Sequence, residues 1–201
     1  MGMTARQFEE VRRRLASGRA AGALDLPGRD VPVVRVVLGL DPSLRGTGWG
    51  VVRMESGQLR SVAHGTVRCP TTWARSRCLG SIHEAVRDVI REHGPEVCAV
   101  EGLFHAQNLR TALVMGEARG AALAAVALAG LAVFEMAPRK VKLAVAGHGA
   151  TGKAGVGRMV QRLLAMGPED VPGADAADAL AVAIAYMQEA GRLSTNPRRK
   201  V

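Results

Sequence analysis

Apolar residues in the first third of the chain cluster in the way that β-strands require. Residues 33–40 form an almost continuous apolar run that ends at Asp41-Pro42, and residues 49–54 and 58–67 form two further strand-like stretches. Short apolar runs bounded by turn residues are typical of buried strands. Glu55-Ser56-Gly57 predicts a hairpin turn, and the connections are too short for parallel crossovers. The pattern therefore predicts an antiparallel meander of three strands.

Helical and strand patterns alternate after this meander. Residues 73–93 place apolar side chains on one helical stripe, and Gly94-Pro95 ends that helix. Further strands are predicted at 97–100 and 131–135, and further helices at 106–129, 138–145, 153–166 and 174–190. This order of elements predicts an α/β fold in which a mixed sheet of about five strands is flanked by helices.

A length of 201 residues fits one domain with short arms. We expect a flexible N-terminal arm at 1–35, the domain at 36–190 and a basic tail at 191–201. Apolar residues make up 48% of the chain, but only six of them are Phe, Trp or Tyr. Ala, Val and Leu must therefore fill most of the core.

Charge and cysteine content narrow the class of protein. Lys and Arg number 27 against 18 Asp and Glu, a net charge of +9, which favours a polyanionic partner and nucleic acid first. The three cysteines form no Cys-x-x-Cys pair, so neither a disulfide framework nor a zinc ribbon is predicted, and the reducing cytoplasm is the expected location. The apolar stretch 121–134 is broken by Gly130 and is shorter than the roughly 20 residues of a membrane span, so no membrane partner is expected.

Acidic residues stand where two of the predicted strands end. Asp41 follows one apolar run directly and Glu101 follows another, while Asp175 and Asp178 share one helix face by their i,i+3 spacing. Each acid alone could simply cap a turn or a helix start. Together they offer the hard oxygen ligands that suit Mg²⁺ or Mn²⁺. Two such ions can activate water and stabilise the leaving oxygen during attack on a phosphodiester.

These acids lie in three separated motifs that resemble those of RuvC-type Holliday junction resolvases. The motifs are Leu38-Gly39-Leu40-Asp41-Pro42 with Thr47-Gly48-Trp49-Gly50, Val100-Glu101-Gly102-Leu103-Phe104 with Asn108, and Ala174-Asp175-Ala176-Ala177-Asp178-Ala179-Leu180-Ala181. The similarity runs over residues 36–190 in the same order and at similar spacing.

The resemblance implies a ribonuclease H-like fold and a homodimer that cuts two opposed strands of a four-way DNA junction during recombination and repair. It implies Mg²⁺ as cofactor, two ions per site with Mn²⁺ as a substitute, and junction branch-migration helicase partners, RuvA and RuvB. Matching positions assign metal binding and catalysis to Asp41, Glu101, Asp175 and Asp178.

The resemblance also assigns contacts to the DNA. Lys142 and Lys153 flank the loop from Gly147 to Gly152 and match lysines near the scissile phosphate, where positive charge can stabilise a transition state. Phe104 is expected to stack on or insert between junction bases, although an aromatic residue there could also belong to the core. Further DNA contacts are predicted at Asn108, Arg110, Arg139 and Lys140.

The long helix predicted at 106–129 is the expected dimer seam. Ala112, Gly116, Gly120 and Ala124 recur at a spacing of four, which permits close approach of a second helix. The same face could instead pack on the sheet of its own chain.

The first motif departs from the family pattern at Ser43, where the family usually has glycine after Asp-Pro. Serine resists a positive φ and adds a side chain beside the metal site. A protein that binds junctions without cutting them, its metal site disabled by Ser43, is therefore an alternative. A ribonuclease for RNA–DNA hybrids also remains open, whereas a sugar-kinase or actin-like ATPase is disfavoured because the chain lacks a second strand-Asp-x-Gly half.

Overall fold

A computed structural model describes residues 34–102, 108–146 and 153–191, except the side chains of Ala146, Lys153 and Ala154. All of these residues belong to one compact unit that begins at Val34. Several predicted features lie outside the described residues: Phe104, the loop at 147–152 and the side chain of Lys153. Both predicted arms also lie outside them, except for residues 34, 35 and 191.

One mixed sheet of five strands forms the centre of the domain. Its strands are β1 (Val36–Asp41), β2 (Gly46–Glu55), β3 (Gln58–Arg68), β4 (Val97–Glu101) and β5 (Ala132–Met136), in the order β3-β2-β1-β4-β5. The first three strands are antiparallel, whereas β4 runs parallel to β1 and to β5. The predicted meander and mixed sheet are confirmed.

Five described helices cover the two faces of this sheet: α1 (Arg75–His93), α2 (Leu109–Leu128), α3 (Pro138–Ala146), α4 (Lys153–Leu163) and α5 (Ala174–Gly191). The predicted stop after α1 is confirmed, because Gly94 takes a left-handed conformation and its N–H donates to the carbonyl of Ile90. The helix at the expected dimer seam begins later than predicted, since Asn108 is its N-cap and accepts a hydrogen bond from the N–H of Thr111.

Side chains of β1 alternate between two cores, one on each face of the sheet. Val37 packs with the buried residues of α5, whereas Leu38 and Leu40 pack with those of α1 and α2. Successive side chains of a strand point to opposite faces, so Asp41 shares its face with Val37 and Gly39. Asp41 therefore points to the face that α5 covers.

Three glycines bring α5 unusually close to this face. A Cβ added at Gly39 would overlap the carbonyl oxygen of Ala179, one at Gly48 would overlap the carbonyl oxygen of Asp175, and one at Gly50 would lie 2.6 Å from Leu180. The middle of α5, from Ala176 to Met187, is almost entirely buried. The small side chains of this alanine-rich helix permit the close approach, and the helix backbone is fixed directly on β1 and β2.

The outer face of α2 is apolar and has no partner among the described residues. Leu109, Leu113 and Leu128 are 76%, 58% and 81% exposed. By length and composition, α2 alone among the described helices could span a membrane. However, it carries Glu117 and Arg119, which form ion pairs with Arg75 and Glu135 of the same domain, and charges inside a bilayer are costly. These pairs favour a helix packed within a folded domain.

All three cysteines are buried and free. Burial raises the pKa of the Cys98 thiol, and burial together with the neighbouring Cys78 raises that of Cys69. The thiols of Cys69 and Cys98 are therefore protonated and weakly reactive at neutral pH, and no disulfide joins the three cysteines.

Candidate active site

The two strand-end acids lie side by side on the sheet. Leu40 of β1 pairs with Val100 of β4, so the next residues, Asp41 and Glu101, end neighbouring parallel strands. Ala99 belongs to the same core as Val37, and alternation therefore directs the Glu101 side chain to the α5 face as well. The sheet presents both carboxylates at one edge and on one face.

The first turn of α5 lies over the same edge. Asp41 pairs with Gly48 in the sheet register, and the backbone of Asp175 packs directly on Gly48. The Asp175 carboxylate lies over the start of β2, since a Cβ added at Gly46 would be 2.8 Å from Asp175 Oδ2. The glycine contacts of α5 thus place its acidic end beside the ends of β1 and β4.

Charges at this edge act on one another. The pKa of Glu101 is raised above its ordinary value, first by burial and next by the negative charge of Asp178, while the positive charge of Lys142 opposes the rise. Glu101, Asp178 and Lys142 therefore lie within electrostatic reach, although they come from three different elements. Two carboxylates that repel each other in a partly buried site form a location that favours cations.

The loop after Asp41 is built around Ser43. Its hydroxyl oxygen accepts a hydrogen bond from the N–H of Gly46 at 3.2 Å, and its carbonyl oxygen accepts one from the Thr47 hydroxyl at 2.6 Å. The Ser43 N–H donates to the same Thr47 hydroxyl at 3.2 Å. Among the described residues, the non-glycine residues with positive φ are Ser56 and Ala165. The turn therefore needs no left-handed residue at position 43, and the serine side chain helps to close it.

The donor set at this edge suits a hard divalent cation. Asp41, Glu101, Asp175 and Asp178 supply only carboxylate oxygens, which are preferred by Mg²⁺ and Mn²⁺. As the side chains stand, the described residues contain no group of three or more acidic, histidine or cysteine side chains close enough to hold a metal. The residue types fit the ion, and the closing of the four carboxylates around it remains a prediction.

The predicted DNA contacts fall into different places. Asn108 and Arg110 are exposed at the start of α2, and Arg139 and Lys142 are exposed on α3. Lys140 forms an ion pair of 2.8 Å with Glu189 near the end of α5, away from the acidic first turn of that helix. Its predicted role in DNA binding would require that pair to open.

Two charged residues behind the acidic edge were not identified from the sequence. Arg119 of α2 donates to the carbonyl oxygen of Glu101 at 2.6 Å and to Glu135 Oε2 at 3.1 Å. Glu135 is the single charge of an otherwise apolar predicted strand, and Arg119 is the last charge of the predicted helix that precedes this strand in the sequence. That pattern is a signal for a buried ion pair.

A mixed sheet with acids at the ends of two parallel strands and on a helix packed over them fits the class that the motifs resemble, nucleases of the ribonuclease H-like fold. Comparison with known proteins identifies the family within this class. The family model for the crossover junction endodeoxyribonuclease RuvC matches residues 37–186. The chain therefore belongs to the RuvC family.

Individual relatives agree with this assignment. A crossover junction endodeoxyribonuclease RuvC from Hyphomonas neptunium is 48% identical over 74% of this chain and 87% of its own length. A protein of the same name from Maricaulis maris is 48% identical over 75% of this chain and 89% of its own. Among solved structures, Thermus thermophilus RuvC in complex with a Holliday junction substrate superposes with a TM-score of 0.71 at 30% identity, covering 83% of this chain and 99% of that one.

Proposed function

We propose that the protein is a junction-resolving endonuclease that cuts two opposed strands of a four-way DNA junction in recombination and repair. The observation that carries the proposal is that Asp41 and Glu101 end neighbouring strands under the first turn of α5, with Asp178 and Lys142 within electrostatic reach of Glu101. The family match extends over all of these residues. The solved relative from Thermus thermophilus is described as a complex with a Holliday junction.

We propose Mg²⁺ as the cofactor, two ions per site, with Mn²⁺ able to substitute. When bound, such ions supply an activated water and charge stabilisation at the leaving oxygen. The chain holds Asp41 and Glu101 on strand ends and Asp175 and Asp178 on a helix fixed by backbone contact. This rigid placement limits how far the carboxylates must move to bind cations.

Lysines complete the proposed site. Lys142 lies close enough to the acidic pair to act on the pKa of Glu101, so its ammonium can neutralise a phosphate held at the same edge. Lys153 begins α4 and is proposed for the same role because, by resemblance, it matches a family lysine near the scissile phosphate. Phe104, Asn108, Arg110, Arg139 and Lys140 remain the proposed DNA contacts.

We further propose a homodimer that assembles through α2. Gly116, Gly120 and Ala124 are exposed, and a Cβ added at either glycine would meet nothing within 4 Å. The small-residue face therefore points away from the sheet of its own chain. Exposed Leu109 and Leu113 extend this face, and a C₂ pair of chains would supply two cutting sites at a fixed separation.

By family resemblance, RuvA and RuvB are the proposed helicase partners and the cytoplasm is the proposed location.

The function is tested on a synthetic four-way junction, a matched duplex and an RNA–DNA hybrid, each with Mg²⁺ or EDTA. We expect paired nicks in the junction with Mg²⁺, and their loss in Asp41→Asn and Asp178→Asn while junction binding survives. Cleavage of the hybrid alone would identify a ribonuclease. Binding of the junction by wild type without any cleavage would identify the non-cleaving alternative, and cutting in EDTA would refute the metal mechanism.

A further inference from the structure

An ion pair lies behind the strand that carries Glu101. The side chains of Arg119 and Glu135 are only 11% and 23% exposed and join at 3.1 Å. The second guanidinium nitrogen of Arg119 donates to the Glu101 carbonyl oxygen at 2.6 Å. Gly102 follows Glu101 and packs against the Glu135 carboxylate, since a Cβ added at Gly102 would lie 2.7 Å from Glu135 Oε1. Three elements thus meet at the end of β4.

The ion pair and the Glu101 carboxylate lie on opposite faces of the sheet. Val133 belongs to the core under α1 and α2, whereas Phe134 packs against the core under α5. Alternation along β5 therefore places Glu135 on the α2 face, whereas the Glu101 carboxylate points to the α5 face. Arg119 reaches Glu101 through the backbone, from behind the metal-binding edge.

A backbone anchor is useful at this residue for a physical reason. The Glu101 carboxylate is repelled by Asp178, and β4 ends at Glu101, where beyond the bond from the Gly102 N–H to the Met136 carbonyl the hydrogen bond from Arg119 is what holds its backbone. A site binds its metal ion more tightly when surrounding hydrogen bonds fix the orientation of the ligating carboxylates. A buried arginine fork held by a carboxylate is rigid, because both of its donor directions are in use.

We propose that Arg119 and Glu135 are positioning residues, which hold the end of β4 so that the Glu101 carboxylate stays in the metal-binding edge. The inference rests on the proposed metal-dependent function. It assigns Arg119 no contact with DNA or metal. Loss of the pair should therefore weaken divalent-cation binding while leaving junction binding without metal largely intact.

The test uses Arg119→Met, Arg119→Lys and Glu135→Gln in the full chain. The matched control is Glu117→Gln, which removes a more exposed ion pair of the same helix, with Arg75. Circular dichroism and Tm report folding, Mn²⁺ binding is followed by electron paramagnetic resonance, and junction binding is measured in EDTA. The Mg²⁺ concentration for half-maximal cleavage is a fourth readout.

We expect Arg119→Met and Glu135→Gln to weaken Mn²⁺ binding about tenfold or more and to shift the Mg²⁺ curve by a similar factor. Junction binding in EDTA should stay close to wild type. Arg119→Lys should recover part of the loss, since it keeps the charge but not the fork. Glu117→Gln should match wild type in every readout.

Wild-type Mn²⁺ binding in folded Arg119→Met or Glu135→Gln overturns the proposal. An equal fall of Mn²⁺ binding and metal-free junction binding also overturns it, because that pattern marks a general loss of structure. Should Arg119→Met not fold, the near-isosteric Glu135→Gln decides by the same criteria. Mn²⁺ binding is measured without DNA cleavage, so failure of this proposal can be distinguished from failure of the proposed resolvase function.

Discussion

At the scale of single residues, Ser43 shows how a departure from a family motif can be accommodated. The family's glycine suggests a turn with positive φ, but the loop here closes through hydrogen bonds of Ser43 with Gly46 and Thr47. Sequence reasoning identified the departure but could not foresee the compensation, because it depends on where the Thr47 hydroxyl lies after folding. The non-cleaving alternative thereby loses its main physical support.

Replacing Ser43 by the family's glycine tests this reading. Ser43→Gly removes one side-chain hydrogen bond, which costs about 1 kcal/mol of stability. We expect junction cleavage under saturating Mg²⁺ to stay within about twofold of wild type, measured as single-turnover rates. Ser43→Ala is the control, as it loses the hydroxyl without gaining backbone freedom. A tenfold gain in rate for the glycine variant would show that Ser43 does impair the site.

Glu101 leads to a prediction about stability. Its folded-state pKa is raised by burial and by Asp178, so ionisation is harder in the folded than in the unfolded chain. Stability is therefore lost as pH rises through that folded pKa. At pH 7 without metal, Glu101→Gln should raise Tm, on the order of 2 °C. The gain should shrink as pH falls towards the ordinary glutamate range.

The measurement is a pair of thermal melts in EDTA at neutral and acidic pH. Glu92→Gln, at an exposed position of α1, is the matched control and should leave Tm unchanged at both. An equal or lower Tm for Glu101→Gln at pH 7 would contradict the destabilisation assigned to the buried Glu101 carboxylate and its repulsion by Asp178.

At the scale of elements, the contact between β2 and α5 explains why the start of β2 was predicted three residues too late. The sequence predicted β2 at 49–54, whereas the strand occupies Gly46–Glu55. Gly46 and Gly48 lower strand propensity, and their use becomes visible only when α5 is seen lying on them. The order of elements was predictable from hydrophobic patterns, but the contact between a helix backbone and a glycine strand was not.

This contact predicts strong sensitivity at Gly39. Its added Cβ would overlap the Ala179 carbonyl, so Gly39→Ala must push α5 from the sheet. We expect a loss of about 1–3 kcal/mol in the free energy of unfolding, measured by urea denaturation. Cleavage should fall by about a hundredfold because the α5 acids move with the helix.

Gly80→Ala provides the comparison for Gly39→Ala. Gly80 is exposed in the interior of α1, and an added Cβ meets nothing within 4 Å. That variant should be stabilised by about 0.5–1 kcal/mol. Equal stability of the two alanine variants would contradict the close packing of α5.

At the scale of the whole molecule, candidate residues for the site could be selected from the sequence more directly than the face used for assembly. The acids could be proposed from the sequence because each follows an apolar strand or shares a helix face, which are local features, and their role in metal binding stays a prediction. Whether the small residues of α2 face the sheet or a second chain depends on how the helix is rotated, and only the exposure of Gly116 and Gly120 indicates the outward direction.

A charge on the α2 face tests the dimer. Leu113 is 58% exposed, and Leu113→Arg would place a charge at the proposed seam, where two copies meet. We expect a monomer by analytical ultracentrifugation, with Tm of the domain little changed and paired junction cutting reduced at least tenfold. Val171→Arg alters a residue of similar exposure, 64%, away from α2, and should stay dimeric. A dimeric Leu113→Arg would show that the seam lies elsewhere.

The burial of every cysteine has a practical consequence. Because Cys69, Cys78 and Cys98 are all buried, maleimide dyes should leave the native protein unmodified under folded conditions. A single introduced thiol at an exposed position such as Val171 could then be labelled selectively in the otherwise unaltered chain. Such a singly labelled protein would be suitable for single-molecule fluorescence measurements on junction DNA.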